Sequence, residues 1–162
     1  MEHWNDAEKF YRNTVKFFAV ISPFCVAVLY AAEGVKLWQD RRKKLPAYLA
    51  APLLVYGAVS WLRRRLDRPR PFEKDGKAPL LPHAPGRAFP SRHAAMAGVL
   101  AAAAEWAEPA CRWTGRALVG VVCVSRVACR LHSVGDVLAG AALGLGGGLG
   151  FYHALDRLRS KK

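Results

Sequence analysis

The sequence predicts an all-α protein, an integral membrane bundle of about five transmembrane helices with an amphipathic segment at its N-terminus. Three observations lead there. Hydrophobic residues make up 52% of the 162 positions, and they fall into blocks that approach the ~20 residues needed to cross a bilayer rather than into amphipathic spacing. The 25 Lys and Arg residues outnumber the 12 Asp and Glu residues and flank these blocks. The last block carries Gly140, Gly144 and Gly148, a small-xxx-small pattern that lets helices approach closely. A soluble nucleic-acid binder would account for the net charge of +13, but it has no use for an apolar run such as residues 45–62. By length the chain reads as one domain, 1–162.

Residues 1–14 place Trp4, Ala7, Phe10, Tyr11 and Thr14 at helical spacing. A helix lying in the interface and an extension of the first span both fit this pattern. Residues 15–32 form the first span, with Lys16 at its edge able to snorkel. Asn5, Asp6 and Glu8 precede it and no small-residue cleavage site follows, so the block reads as a retained helix. Asp40-Arg41-Arg42-Lys43-Lys44 is a solvated basic flank. The second span, 45–62, holds Pro46 in its first turn and Pro52 inside, where a bend is expected.

Residues 63–90 contain Pro69, Pro71, Pro79, Pro82, Pro85 and Pro90 with Gly76 and Gly86, which excludes a long helix and reads as an ordered loop over the membrane surface. The third span, 94–107, is short and alanine-rich, suited to the inside of a bundle, with Glu105 at the interface. After a connection, residues 117–131 and 134–152 form the fourth and fifth spans, and 156–162 a basic tail. A phosphate-cradling glycine loop in the fifth is disfavoured, since the Lys-Ser/Thr ending is missing. Cys25, Cys111, Cys123 and Cys129 lie in or beside apolar runs without zinc spacing and read as small buried hydrophobes. The histidines are too scattered for a metal site, so no metal and no cofactor is expected.

The chemistry concentrates in the stretch from Ser125 to Asp136, which places Ser125, Arg126, Arg130, His132 and Asp136 between two apolar runs. Ionisable groups there are expensive and mark function. His132 and Asp136 are four apart, on one face if the segment is helical; a carboxylate so placed orients an imidazole for nucleophilic or base work. Arg126 offers a planar fork of donors for phosphate oxygens. A helix-end ion pair is the plainer account of this stretch alone. With alternating spans, two further clusters reach the same side: Arg63 to Arg70-Pro71, and Pro90-Ser91-Arg92-His93. Ser91 reads as an N-cap, so the first N–H groups of the third span face the same space.

These residues carry a family resemblance. Ser125-Arg126-x5-His132-x3-Asp136 resembles the third signature of the type 2 phosphatidic acid phosphatase (lipid phosphate phosphatase) superfamily, residue for residue. Pro90-Ser91-Arg92-His93 resembles the second, with Arg92 where the family has glycine. Arg63-x6-Arg70-Pro71 resembles the first, with arginine replacing lysine. The likeness spans a core of residues 63–136. It implies that His132 is the nucleophile that forms a phosphohistidine, that Asp136 orients it, and that His93 protonates the leaving oxygen. Arg63, Arg70, Ser91 and Arg126 are implied as phosphate binders, and the Arg92 backbone or side chain joins them. The guanidiniums then supply the charge that a metal would otherwise bring. Other phosphatase chemistries find no support, since no cysteine is followed six positions later by arginine and no Asp-x-Asp occurs.

Membrane members of the family usually have six spans against about five here, and soluble members share the helical core. The expected activity is hydrolysis of a lipid phosphate monoester or diphosphate, of the polyprenyl diphosphate, phosphatidic acid or phosphatidylglycerophosphate type. The expected partners are that substrate and membrane lipids, not nucleic acid; nothing in the sequence indicates an oligomeric state. A non-enzymatic basic protein that binds anionic headgroups is the alternative; it explains the charge but not the His132–Asp136 spacing. Fourteen basic residues fall on the signature side and eleven on the other, a raw count that narrowly favours a cytoplasmic active site, and setting aside Arg63, Arg70 and Arg126 leaves eleven on each. The dense clusters at 41–44 and 157–162 then favour a cell-membrane protein with its C-terminus in the cytoplasm and its active site and N-terminus on the outer face.

Overall fold

The computed structural model describes residues 5–161, and among these the regular structure is helical throughout. Helix α1 (Asp6–Asp40) begins where the Asn5 side chain accepts a hydrogen bond from the Glu8 N–H at 2.8 Å, with Asp6 and Glu8 favourably placed in its first turn. At 35 residues it is about 52 Å long, so residues 6–14 are an extension of the first span rather than a separate interfacial helix. Trp4, which belongs to the expected amphipathic pattern, lies outside the described residues. Phe10, Phe17, Phe18, Val20, Phe24 and Val28 on α1 are exposed, as a lipid-facing surface requires.

Helix α2 (Leu45–Leu66) follows a single 3-10 turn at Arg42–Lys44 and ends on Arg63, Arg64 and Arg65, cations that suit a helix C-terminus. The expected loop after it is shorter than its proline content suggests. It contains the five-residue helix α3 (Pro71–Asp75), started by proline in its first turn and stopped by Gly76 at φ +66°. Helix α4 (Arg92–Ala107) is the centre of the bundle. Eleven of its 16 residues are buried, most of them alanine, and α1, α2, α5, α6 and α7 all pack on it. Helix α5 (Arg112–Ala128) starts and stops earlier than residues 117–131, so Leu131 falls in the turn that follows. The last run comprises α6 (Val134–Ala141), a π-helical turn (Ala142–Gly146) and α7 (Gly147–Arg159), which absorbs most of the expected basic tail.

Two prolines inside helices free two carbonyls, and the fold uses both. Proline at position i cannot donate to the carbonyl of residue i−4. Pro52 therefore leaves the Tyr48 carbonyl open, and the Tyr152 hydroxyl donates to it at 3.1 Å with the Tyr30 hydroxyl at 3.4 Å. Pro23 leaves the Ala19 carbonyl open, and an Nη2 of Arg126 donates to it. The glycine stripe acts as its spacing indicates: a Cβ at Gly140 would run into Ser91 and Ala94, one at Gly144 into Ala95, and one at Gly148 into Ala102. At the opposite end the buried Glu105 carboxylate is held by Arg112 at 2.9 Å and Arg116 at 3.1 Å, so it is a clamp between α4 and α5. Three helical runs, Asp6–Asp40, Arg42–Asp75 and Val134–Arg159, are long and apolar enough to cross a membrane. Helices α4 and α5 are shorter, with 16 and 17 residues.

Candidate functional site

The three clusters that the sequence singles out meet at the end of the bundle where α2 ends and α4 begins. Backbone carbonyls fasten them. An Nη1 of Arg63 donates to the Pro90 carbonyl at 2.8 Å and to Ala88 at 3.3 Å, tying the end of α2 to the start of α4. Arg70 donates from Nη1 to the Leu131 carbonyl at 2.9 Å and from Nε to Gly86 at 3.1 Å. The Ser91 N–H donates to the Asp136 carbonyl at 2.9 Å, so all three clusters are joined in one hydrogen-bonded frame. Arg63, Arg70 and Arg126 are buried, and the Nε atoms of Arg63 and Arg126 are left without a partner. Buried guanidiniums with unspent donors are a prepared anion site.

Ser91 caps α4, accepting from the Ala94 N–H at 3.4 Å, as its place before an alanine-rich helix indicates. His93, in the first turn of α4, is exposed, as is its neighbour Arg92. An Nη1 of Arg92 donates to the Tyr56 hydroxyl at 3.2 Å, and its guanidinium lies 5.5 Å from the centre of that ring.

His132 and Asp136 do not share a helix as the four-residue spacing suggests. Ser133 is the N-cap of α6 and forms a capping box with Asp136: the Ser133 N–H donates to Oδ2 at 2.8 Å, and the Asp136 N–H donates to the Ser133 hydroxyl at 3.2 Å. His132 thus precedes the helix, and the cap turns its ring back toward Asp136. The Nδ1 to Oδ2 separation is 3.9 Å with both side chains at most 2% exposed, longer than a hydrogen bond but within reach of one once a ligand tightens the site. Burial first, then the charges of Arg70 and Arg63 and the nearby His93, push the His132 pKa down to about 3, although contact with the Ala88 carbonyl pulls it up. The free ring is neutral and its nitrogen lone pair available.

Every residue that the sequence nominates, His132, His93, Asp136, Arg63, Arg70, Ser91, Arg92 and Arg126, lies in this region. Others were not nominated. Arg68 sets an Nη1 3.5 Å from the second Asp136 oxygen. Glu73 accepts from the Arg70 N–H at 2.6 Å and from Gly86 at 2.9 Å, fixing the loop that presents Arg70; its place three residues into α3 is a cap signal visible in the sequence. Burial and the charges of Arg70, Arg126, Arg63 and Arg92 hold His83 below its usual pKa, which marks the mouth of the site as strongly positive. Among the described residues no group of three or more His, Cys, Asp or Glu side chains could hold a metal ion.

The fold is similar to that of solved proteins. Over 88% of its length the chain superposes on 85% of Aquifex aeolicus LpxE, with a TM-score of 0.72 and 22% identity. It superposes over 91% of its length on 77% of a transmembrane PAP2 type phosphatidylglycerolphosphate phosphatase from Bacillus subtilis, with a TM-score of 0.64 and 24% identity. No curated protein matches. The PAP2 superfamily profile matches residues 44–160, a span that takes in all three signature clusters and the whole frame around His132, and the chain belongs to the PAP2 superfamily.

Proposed function

We propose that the chain, a membrane lipid phosphatase of its family, works as a single domain over residues 1–162 with its signature-bearing core at 63–136, and that it removes phosphate from a lipid phosphate monoester or diphosphate through His132. The observation that carries this reading is the hydrogen-bonded frame that holds Arg63 and Arg70 beside the buried His132 imidazole, with Arg126 anchored at Ala19. In this reading the substrate phosphate enters between the guanidiniums and the N-terminus of α4, with Ser91 and the Arg92 backbone as further donors. The His132 lone pair forms an N–P bond as the P–O bond to the lipid breaks, and His93, whose pKa burial and the charge of Arg126 push down to about 4 in the free protein, takes up a proton as the anionic phosphate binds beside it and gives that proton to the leaving oxygen. Water then attacks the phosphohistidine with His93 as base, releasing inorganic phosphate and free His132. Asp136 holds the imidazole in position and stabilises its charge as it becomes positive. The arginines neutralise the equatorial oxygens, the task a metal ion has in other phosphatases.

Polyprenyl diphosphate, phosphatidic acid and phosphatidylglycerophosphate all present the required phosphate. We place the chain in the cell membrane as a multi-pass protein, with lipids as its other partners and the site on the outer face. His132→Ala should abolish phosphate release in detergent, and acid-labile phosphate should be trapped on the wild type and not on the variant. Unchanged turnover by a folded His132→Ala protein would refute the assignment.

A further inference from the structure

Helices α1 and α2 are tied together at Tyr30 and Tyr48, whose rings stack 4.5 Å apart and whose hydroxyls each reach the other's carbonyl. Beyond that tie the two helices make few contacts, although both pack on α4. A groove of about 180 Å³ follows, lined by Pro23 of α1 and by Met96, Ala97 and Leu100 of α4, with Arg92 and His93 beside it. It is smaller than a pocket that encloses a whole drug-sized ligand, roughly 300 Å³ or more. An open apolar channel that starts at the acid expected on the leaving oxygen suits the first part of a hydrocarbon chain.

Arg92 is unlike the other arginines here. Arg63, Arg70 and Arg126 bind backbone carbonyls of the frame, whereas Arg92 is exposed and fixed by Tyr56 of α2. Among the described residues no carboxylate pairs with it. It therefore sets a positive charge beside an apolar groove and next to His93, the acid expected on the leaving oxygen. A leaving group that is a neutral alcohol gives this charge nothing to bind. One that bears its own phosphate does.

Resting on the phosphatase reading above, we infer that the groove holds the substrate's hydrocarbon chain and that Arg92, steadied by Tyr56, selects lipids with a second phosphate on the leaving side. When the P–O bond breaks, the electron pair passes to the leaving oxygen, His93 supplies the proton, and Arg92 pairs with the phosphate that departs with the lipid. A lipid diphosphate and a lipid with a phosphodiester a few bonds away share this chemistry; a lipid monophosphate lacks it.

The test is phosphate release by the full chain in detergent from three lipids: a prenyl diphosphate, a phosphatidylglycerophosphate and a phosphatidic acid. Wild type should favour one or both of the first two by kcat/KM. Arg92→Gly should cut that preference on the order of tenfold, the usual size of a lost charge-assisted hydrogen bond, with Arg92→Lys retaining part of it and Tyr56→Phe shifting it less in the same direction. Preference for the diphosphate alone places the second phosphate directly against Arg92; preference for the diester alone places it farther along the groove. An unchanged preference in a folded Arg92→Gly protein overturns the inference. A diazirine on the first carbons of the chain should label Met96 or Leu100, and labelling confined to the outer face of α1 would overturn the groove assignment. If wild type releases phosphate from none of the three, it is the phosphatase reading that fails.

Discussion

Three arginines of the site, Arg63, Arg70 and Arg126, spend part of their donor sets on backbone carbonyls before any substrate arrives, and this is how a set of like charges can be kept together. Arg63 is held by Pro90, Arg70 by Leu131 and Gly86, and Arg126 by Ala19. Five donors in a planar fork allow that division of labour; the three donors of a lysine on a flexible stem do not fit it as well, which gives the arginine at position 63 a structural purpose. Burial, and then the charges of Arg70 and Arg63, keep His132 neutral. Because its folded pKa of about 3 lies below the ordinary value of 6.5, the neutral ring contributes stability that is full above pH 6.5 and is lost as the pH falls toward 3. Nitrogen-15 spectra of histidine-labelled protein in detergent should accordingly show imidazoles, those of His132 and His93, that stay uncharged from pH 8 down to pH 5, one of them missing in His132→Ala. A titration of that signal near pH 6.5 would contradict the burial argument.

At the scale of elements, Pro23 does more than bend α1. The carbonyl it orphans at Ala19 is the one Arg126 grips, so a lipid-facing helix outside the three signatures positions a signature residue. Pro23→Ala restores the N–H that competes for Ala19, and kcat/KM should fall on the order of tenfold while thermal unfolding moves little; an unaffected rate would show that Arg126 needs no such anchor. Gly144 tests packing instead. A Cβ there meets the backbone of Ala95, so Gly144→Val should destabilise the bundle by about 1–3 kcal/mol, seen as a lower unfolding temperature in detergent; unaltered unfolding would mean that α4 and the π-helical turn can separate at no cost. Five apolar blocks, the glycine spacing and the three clusters were legible because each rests on local composition or period. The true setting of His132 was written in Ser133-Val134-Gly135-Asp136, a cap pattern that outranks four-residue spacing because it starts a new helix between the two residues. Arg68 and the pairing of Arg126 with Ala19 were not legible, since both depend on contacts between distant segments that no spacing encodes.

For the whole molecule the open question of orientation has a structural side. Helix α1 starts at the end that carries the site, since Arg126 of the third signature reaches back to Ala19 in its first half. The chain finishes at the other end, where Arg159 donates to the Lys43 carbonyl at 3.3 Å and joins Arg41, Arg42, Lys43 and Lys44 around one basic recess. The start of α1 and the end of α7 therefore lie at opposite ends of the bundle. Of the charges at the signature end, Arg63, Arg70 and Arg126 are buried in the frame and Arg68 and Arg130 face Asp136 and Asp75, so they serve the site and its loops. The far end carries a basic recess lined by Arg41, Arg42, Lys43, Lys44 and Arg159, and exposed Lys and Arg clusters at helix ends are the mark of a cytoplasmic flank. Both considerations support the proposed orientation, with the recess and the end of α7 inside and the phosphate site and the start of α1 outside. A reporter that fluoresces only in the cytoplasm, fused after Lys162, should be bright; a dark fusion with the protein present in the membrane means that the site faces inward.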